Sequence, residues 1–204
     1  MISIIDYNTG NLHSVTKAFE KLGHQVSIVR TASELEKVER LVLPGVGAFP
    51  EAIATIHRNG LFQPIKAVID KGIPTLGICL GLQLLFDFSE EGKGATGLGI
   101  LPGTVKAFAL GPEYKVPHMG WNRFQISQDD NPLLNGISPN DYFYFVHSYF
   151  VVPNEPEVIA LTTDYGGKFC AMIRKKNLFA TQFHPEKSQR AGLELLKNFA
   201  NYCY

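Results

Sequence analysis

The stretch Thr75-Leu76-Gly77-Ile78-Cys79-Leu80-Gly81-Leu82-Gln83-Leu84-Leu85-Phe86 decides how this chain folds. Thr75 to Ile78 reads as a strand buried on both faces, because its apolar run does not alternate. Leu82 to Phe86 reads as a helix. Between them lies Gly77-Ile78-Cys79-Leu80-Gly81, of the form Gly-x-nucleophile-x-Gly. A sharp strand-to-helix turn holds a nucleophile in strained backbone geometry, and flanking glycines remove the side chains that would collide there. The start of the helix points free N–H groups and partial positive charge at the sulfur. The Leu80 N–H is set to meet an oxyanion. Cys79 is therefore the candidate nucleophile. Cys170 and Cys203 have no such setting and read as packing residues.

Working outward, Ile2 to Ile5, Gln25 to Val29 and Leu41 to Leu43 read as further buried strands. Helical periodicity lies between them. Leu12, Val15, Phe19 and Leu22 share a face and Gly23 ends that helix, while Ala52 to His57 and Leu61 to Lys71 are helical stretches split by Asn59-Gly60. Strand and helix in alternation predict a parallel sheet with covering helices. After Gly97 short strand-like runs take over, at Val105 to Ala109, Arg123 to Ile126, Tyr142 to Val146, Tyr149 to Val152, Val158 to Thr162 and Phe169 to Ile173. Leu195, Leu196 and Phe199 mark a last helix. The expected fold is α/β: an open, mixed, mainly parallel central sheet flanked by helices, with an antiparallel β extension, in one domain over 1–204. Tyr142, Tyr144 and Tyr149 are expected to pack core and sheet.

Composition narrows the function. Nineteen Lys and Arg balance 19 Asp and Glu, so the chain lacks the basic field of a nucleic-acid or anionic-membrane binder. Hydrophobic residues at 45% and charged residues at 19% suit a packed core. No apolar run approaches the roughly 20 residues of a membrane-spanning helix. Met1-Ile2-Ser3-Ile4-Ile5-Asp6 does not read as a signal peptide. Three cysteines, an odd and sparse set, predict a reducing, cytoplasmic setting.

A thiol nucleophile needs a base and a group to orient it. Of six histidines, His13, His24 and His57 read as surface residues. His184 follows the apolar run Leu178 to Phe183 and precedes Pro185-Glu186, which puts an imidazole at a strand end facing the crevice at the strand C-termini. Glu186 is placed to hold its tautomer. The histidines and cysteines contain no Cys-x-x-Cys or His-x-x-x-His pair, so no metal is expected.

Leu76-Gly77-Ile78-Cys79-Leu80-Gly81-Leu82-Gln83 together with Gln182-Phe183-His184-Pro185-Glu186 resembles the class I, triad-type glutamine amidotransferases. Within that class, four blocks resemble the glutaminase subunits of imidazole glycerol phosphate synthases: Pro44-Gly45-Val46-Gly47-Ala48-Phe49, Lys115-Val116-Pro117-His118-Met119-Gly120-Trp121-Asn122, Tyr144-Phe145-Val146-His147-Ser148-Tyr149 and His184-Pro185-Glu186-Lys187-Ser188-Gln189. They run in family order over nearly the whole chain. The resemblance implies that Cys79, His184 and Glu186 form a triad that hydrolyses glutamine to glutamate and ammonia. It implies oxyanion donors at Leu80 and in Gly45-Val46-Gly47, and glutamine contacts from Gln83, His147, Ser148 and Tyr149. It implies no cofactor, and a cyclase subunit as partner, faced by Trp121, Lys187 and the segment Asn8-Thr9-Gly10-Asn11.

Taken alone, Pro44-Gly45-Val46-Gly47 is an ordinary strand-ending turn, although glycines beside Val46 make a peptide flip cheap. Trp121 alone is a core or rim residue and Lys187 a solvated charge. The glutaminase subunit of anthranilate or aminodeoxychorismate synthase would share the triad, and a catalytically silent binding homologue is a further alternative. A cysteine hydrolase of the α/β-hydrolase type would need its acid before its histidine, whereas Glu186 follows His184. No Gly-x-x-x-x-Gly-Lys phosphate loop is present, so a separate chain is expected to use the ammonia.

Overall fold

In a computed structural model, which describes residues 1–8 and 10–203, the first half of the chain alternates as its periodicity predicts. The order is β1 (Ile2–Ile5), α1 (Leu12–Lys21), β2 (Val26–Val29), the single-turn α2 (Ala32–Leu35), β3 (Leu41–Leu43), α3 (Phe49–Arg58), α4 (Phe62–Asp70) and β4 (Thr75–Ile78). Then come α5 (Leu80–Leu84), β5 (Phe86–Ser89), β6 (Ala95–Thr96), β7 (Leu101–Ala107), β8 (His118–Asn122), β9 (Gln125–Ile126), β10 (Phe143–His147), β11 (Tyr149–Pro153), β12 (Ile159–Asp164), β13 (Lys168–Lys175), β14 (Leu178–Thr181) and α6 (Gln189–Asn201). Thr9, in the segment expected to face a partner, lies outside the described residues.

The main sheet has the order β2-β1-β3-β4-β14-β13-β12-β9. Strands β2 to β14 in that order are mutually parallel, and β13, β12 and β9 continue antiparallel. Successive residues of β3 explain the unbroken apolar runs. Leu41 and Leu43 join a core with α3 and α4, whereas Val42 joins a second core with α1 and α6. Each strand residue therefore meets an apolar layer, whichever way it points.

The extension differs in places from the expected one. The helix after Cys79 ends at Leu84 and Phe86 opens β5. The incoming chain takes the last helical carbonyls, with Leu98 N–H donating to Leu84 O and the Ile100 and Leu101 N–H groups to Leu85 O. A second sheet, β11-β7-β5-β6, contains a parallel pair, β5 with β7. Strand β8 occupies His118–Asn122, where no strand was expected, and pairs antiparallel with β10 as a two-stranded ribbon. Tyr142 is exposed, with Arg123 over its ring at 4.6 Å. Cys203 is exposed beyond the end of α6; only Cys170 is packed as expected. Among the described residues no helix is long and apolar enough to cross a membrane.

Candidate active site

The C-terminal ends of β3, β4 and β14 converge on one cavity, the usual place for chemistry in an open parallel sheet. At the end of β4, Cys79 has φ 53° and ψ −103°, a conformation a side-chain-bearing residue holds only when its surroundings enforce it. Here they do. A Cβ on Gly81 would lie 2.0 Å from the Leu43 carbonyl oxygen, and one on Gly77 would lie 2.9 Å from the Ala180 Cβ. The two glycines let β3, β4, α5 and β14 close around the turn. The Cys79 N–H donates to Thr181 O at 2.7 Å, which ties the turn to the neighbouring strand.

Beyond β14 the chain carries Gln182, Phe183 and His184, all buried. The His184 N–H donates to Tyr144 O at 2.9 Å, and Ser188 Oγ donates to His184 O at 2.6 Å while accepting from the Tyr144 N–H at 2.9 Å. Strand β10 thus fixes the histidine's backbone. A 3₁₀ turn, Pro185–Lys187, brings Glu186 back against the ring, with His184 Nδ1 to Glu186 Oε1 at 2.7 Å. The carboxylate side of the ring is therefore Nδ1. Nε2, on the other side, is buried and left to Cys79, whose sulfur acts on the ring.

Burial works to lower the His184 pKa, but the neighbouring Cys79 and the Glu186 carboxylate outweigh it and raise it to about 10. Burial likewise opposes ionisation of Glu186, and the hydrogen bond and charge of His184, with the Asn11 amide, overcome it and hold its carboxyl below the ordinary value. Asn11, which the resemblance puts at the partner surface, donates its Nδ2 N–H to Glu186 Oε1 at 2.5 Å. It stands at the N-cap of α1 in the left-handed region with no side-chain capping bond, so its amide serves the carboxylate instead of its own helix.

Val46, Gly47, Cys79, Leu80, Gln83, His147, Ser148, Tyr149 and Lys187 line a cavity of about 480 Å³. The Leu80 N–H donates to Gly45 O at 3.4 Å, so the expected oxyanion donor points at a carbonyl of the very loop expected to supply the second donor. Gln83 Nε2 donates to Tyr149 O at 3.0 Å and faces Gln182 Oε1 at 3.3 Å. Trp121 lies outside the cavity, exposed and edge-on to Tyr144. Lys187 is exposed with Nζ 5.9 Å from the Tyr144 ring.

Sequence reasoning did not single out Gln182, whose Nε2 lies 3.7 Å from Cys79 Sγ, or Ser188 and the Tyr144 backbone, which hold His184. Gln182 carried one signal, a polar residue continuing an apolar run.

With the site in view, its relatives can be compared. The family model described as Glutamine amidotransferase class-I matches residues 3–202. The chain belongs to the class-I glutamine amidotransferase family. Among curated members, the chain is 56% identical over 200 residues to a protein of Rhodopirellula baltica named Imidazole glycerol phosphate synthase subunit HisH, covering 98% of this chain and 97% of that one. It is 51% identical over 198 residues to the protein of the same name from Moorella thermoacetica, covering 97% and 93%. The solved structure titled PurLQS from Thermotoga maritima superposes with a TM-score of 0.78 over 98% of this chain and 97% of that one, at 20% identity. That likeness shows a shared fold.

Proposed function

We propose that this chain is the glutaminase subunit of an imidazole glycerol phosphate synthase, a single cytoplasmic domain that works docked on a cyclase chain. The observation that carries the chemistry is a buried imidazole held between the Glu186 carboxylate at Nδ1 and the strained Cys79. The choice of synthase rests on identities of about half the residues over nearly the full length of proteins bearing that name.

In this reading Cys79 Sγ, its proton passed to His184, attacks the glutamine carboxamide carbon while the carbonyl becomes an oxyanion. The tetrahedral intermediate collapses as His184 gives a proton to the departing nitrogen, which leaves as ammonia, and a thioester remains. Water, deprotonated by His184, then attacks the thioester and releases glutamate and the Cys79 thiol. Glu186 keeps Nδ1 as the donor side of the ring, so Nε2 does the proton transfer. The Leu80 N–H stabilises the oxyanion once the Gly45 carbonyl turns away from it, and Val46 and Gly47 are placed to bring the second donor. Gly47, at φ +110°, lets that loop adopt a backbone that other residues rarely take.

Ammonia released into neutral water is mostly ammonium and no longer nucleophilic, so the glutaminase gains from sitting against the chain that consumes its product. Exposed Met119, Trp121 and Tyr142 supply an apolar surface for such docking. The test is steady-state glutamine hydrolysis by the purified chain with and without a cyclase chain of this synthase. Stimulation by the cyclase, abolished by Cys79→Ala, is expected. Full activity of the isolated chain, stimulation only by a chorismate-using partner, or ammonia release by Cys79→Ala would each overturn the reading.

A further inference from the structure

Across the cavity from His184 the structure buries two imidazoles that amide hydrolysis does not require. His118 on β8 and His147 on β10 stand opposite one another in the ribbon register, with His118 Nδ1 3.0 Å from His147 Nε2. Their proton positions follow from the two ends of the chain they form. The Tyr149 carbonyl, 2.8 Å from His147 Nδ1, can only accept, so Nδ1 carries the proton and a neutral ring leaves Nε2 bare. His118 Nδ1 must then be the donor between the rings, which leaves its Nε2 as an acceptor. Asn122 Nδ2 meets it at 3.4 Å. The Asn122 amide is oriented independently, since Nδ2 also donates to Asp164 O at 2.9 Å and Oδ1 accepts the Arg123 N–H at 2.8 Å.

Both rings are neutral at ordinary pH. Burial pushes His118 down to about 4 and His147 down to about 3. Phe108, Phe145, Tyr165 and Phe169 surround them with rings and no counter-charge. The relay therefore runs one way, from Asn122 through His118 and His147 to the Tyr149 carbonyl. That carbonyl also accepts from Gln83.

We infer that His118 is a positioning residue for the glutamine site. Through His147 it fixes the Tyr149 carbonyl, and with it the His147-Ser148-Tyr149 turn and the Gln83 amide that line the Cys79 cavity. The inference rests on reading that cavity as the glutamine site.

Two substitutions separate positioning from packing. His118→Phe keeps a ring against Tyr165 and Phe145, whose centroids lie 4.0 and 4.9 Å from the imidazole, but removes the donor. His118→Asn removes the ring and restores an N–H close to the place of Nδ1. With the cyclase chain bound, His118→Phe is expected to raise the glutamine KM about tenfold with kcat within about threefold, and His118→Asn to recover most of that rise. The reverse ranking, or a loss confined to kcat, overturns the inference.

A nitrogen NMR spectrum of the wild-type chain needs neither variant nor activity. His147 and His118 are both expected to be protonated at Nδ1 with bare Nε2, the minority tautomer of a free histidine side chain. An Nε2 proton on His147 overturns the relay. Absence of any glutaminase activity in the wild-type complex would instead overturn the functional reading, and the spectrum would still decide the relay.

Discussion

His184 and the His118–His147 pair are all buried imidazoles on walls of one active-site region, yet their proton affinities are driven in opposite directions. Burial lowers an imidazole pKa, and it does so for the pair, whose neighbours are aromatic rings, each other and, for His147, the charge of His184, which works in the same direction. At His184 the same burial is present, but a thiol and a carboxylate face the ring and reverse the sign. Desolvation therefore does not make a histidine basic or inert. The groups facing the ring decide, first Cys79 at the elbow and then Glu186, which the three-residue turn Pro185–Lys187 brings back against it.

The strongest way to break this contrast is Glu186→Gln. It keeps the shape and removes the charge, so partner-stimulated hydrolysis should fall on the order of 10³-fold, and the His184 pKa, followed by NMR, should drop toward the ordinary histidine value. A His184 pKa left unchanged would mean that Cys79 alone reverses the effect of burial.

The two regions also differ in how their glycines are used. Gly81→Ala drives a Cβ into the Leu43 carbonyl at 2.0 Å and should cost about 3 kcal/mol in denaturant unfolding. Gly120→Ala, on the ribbon, meets open space and only the strain of φ +143°, so about 1 kcal/mol is expected. Equal losses would show that the elbow has room to relax.

Acid should weaken the fold through the pair. Between pH 6.5 and about 4 the unfolded chain takes up protons that folded His118 and His147 refuse. Stability then falls on acidification by at most about 1.4 kcal/mol per pH unit for each ring. His184 acts in the other sense: its contribution is complete below pH 6.5 and is lost as pH rises toward about 10. Thermal unfolding across this range checks both, and a flat acid limb would contradict neutral buried rings. The smallest effect is expected for Asn11→Ala, which removes one donor from Glu186 and should reduce kcat about fivefold.

The parallel half of the fold was legible because its strands are sandwiched, and a sandwiched strand writes an unbroken apolar run. The elbow was legible because a strained nucleophile needs glycine on both sides. Strand β8 was not, since His118-Met119-Gly120-Trp121-Asn122 alternates a buried histidine with exposed Met119 and Trp121 around a glycine, a pattern with no periodic apolar face. The junction at Leu85-Phe86 was misread because the last helical and first strand residues are equally apolar. The Asn11 contact with the carboxylate was not legible, because which way its amide turns depends on Glu186, 175 residues away. Tyr142 was assigned inward on spacing alone, whereas its place just before β10 leaves it to solvent.

Nucleophile and base follow the ends of adjacent parallel strands, β4 and β14, with Ile78 opposite Thr181, although the Cys79 and Gln182 that continue them are 103 positions apart in sequence. One inter-strand step of about 4.8 Å thus separates the two strand ends from which sulfur and imidazole are carried. Everything the chain builds between β4 and β14 is an excursion that leaves and returns to that step. Apart from β10, which holds the His184 backbone, such an insertion can be lengthened, trimmed or resurfaced for a different client while the two strand ends stay side by side.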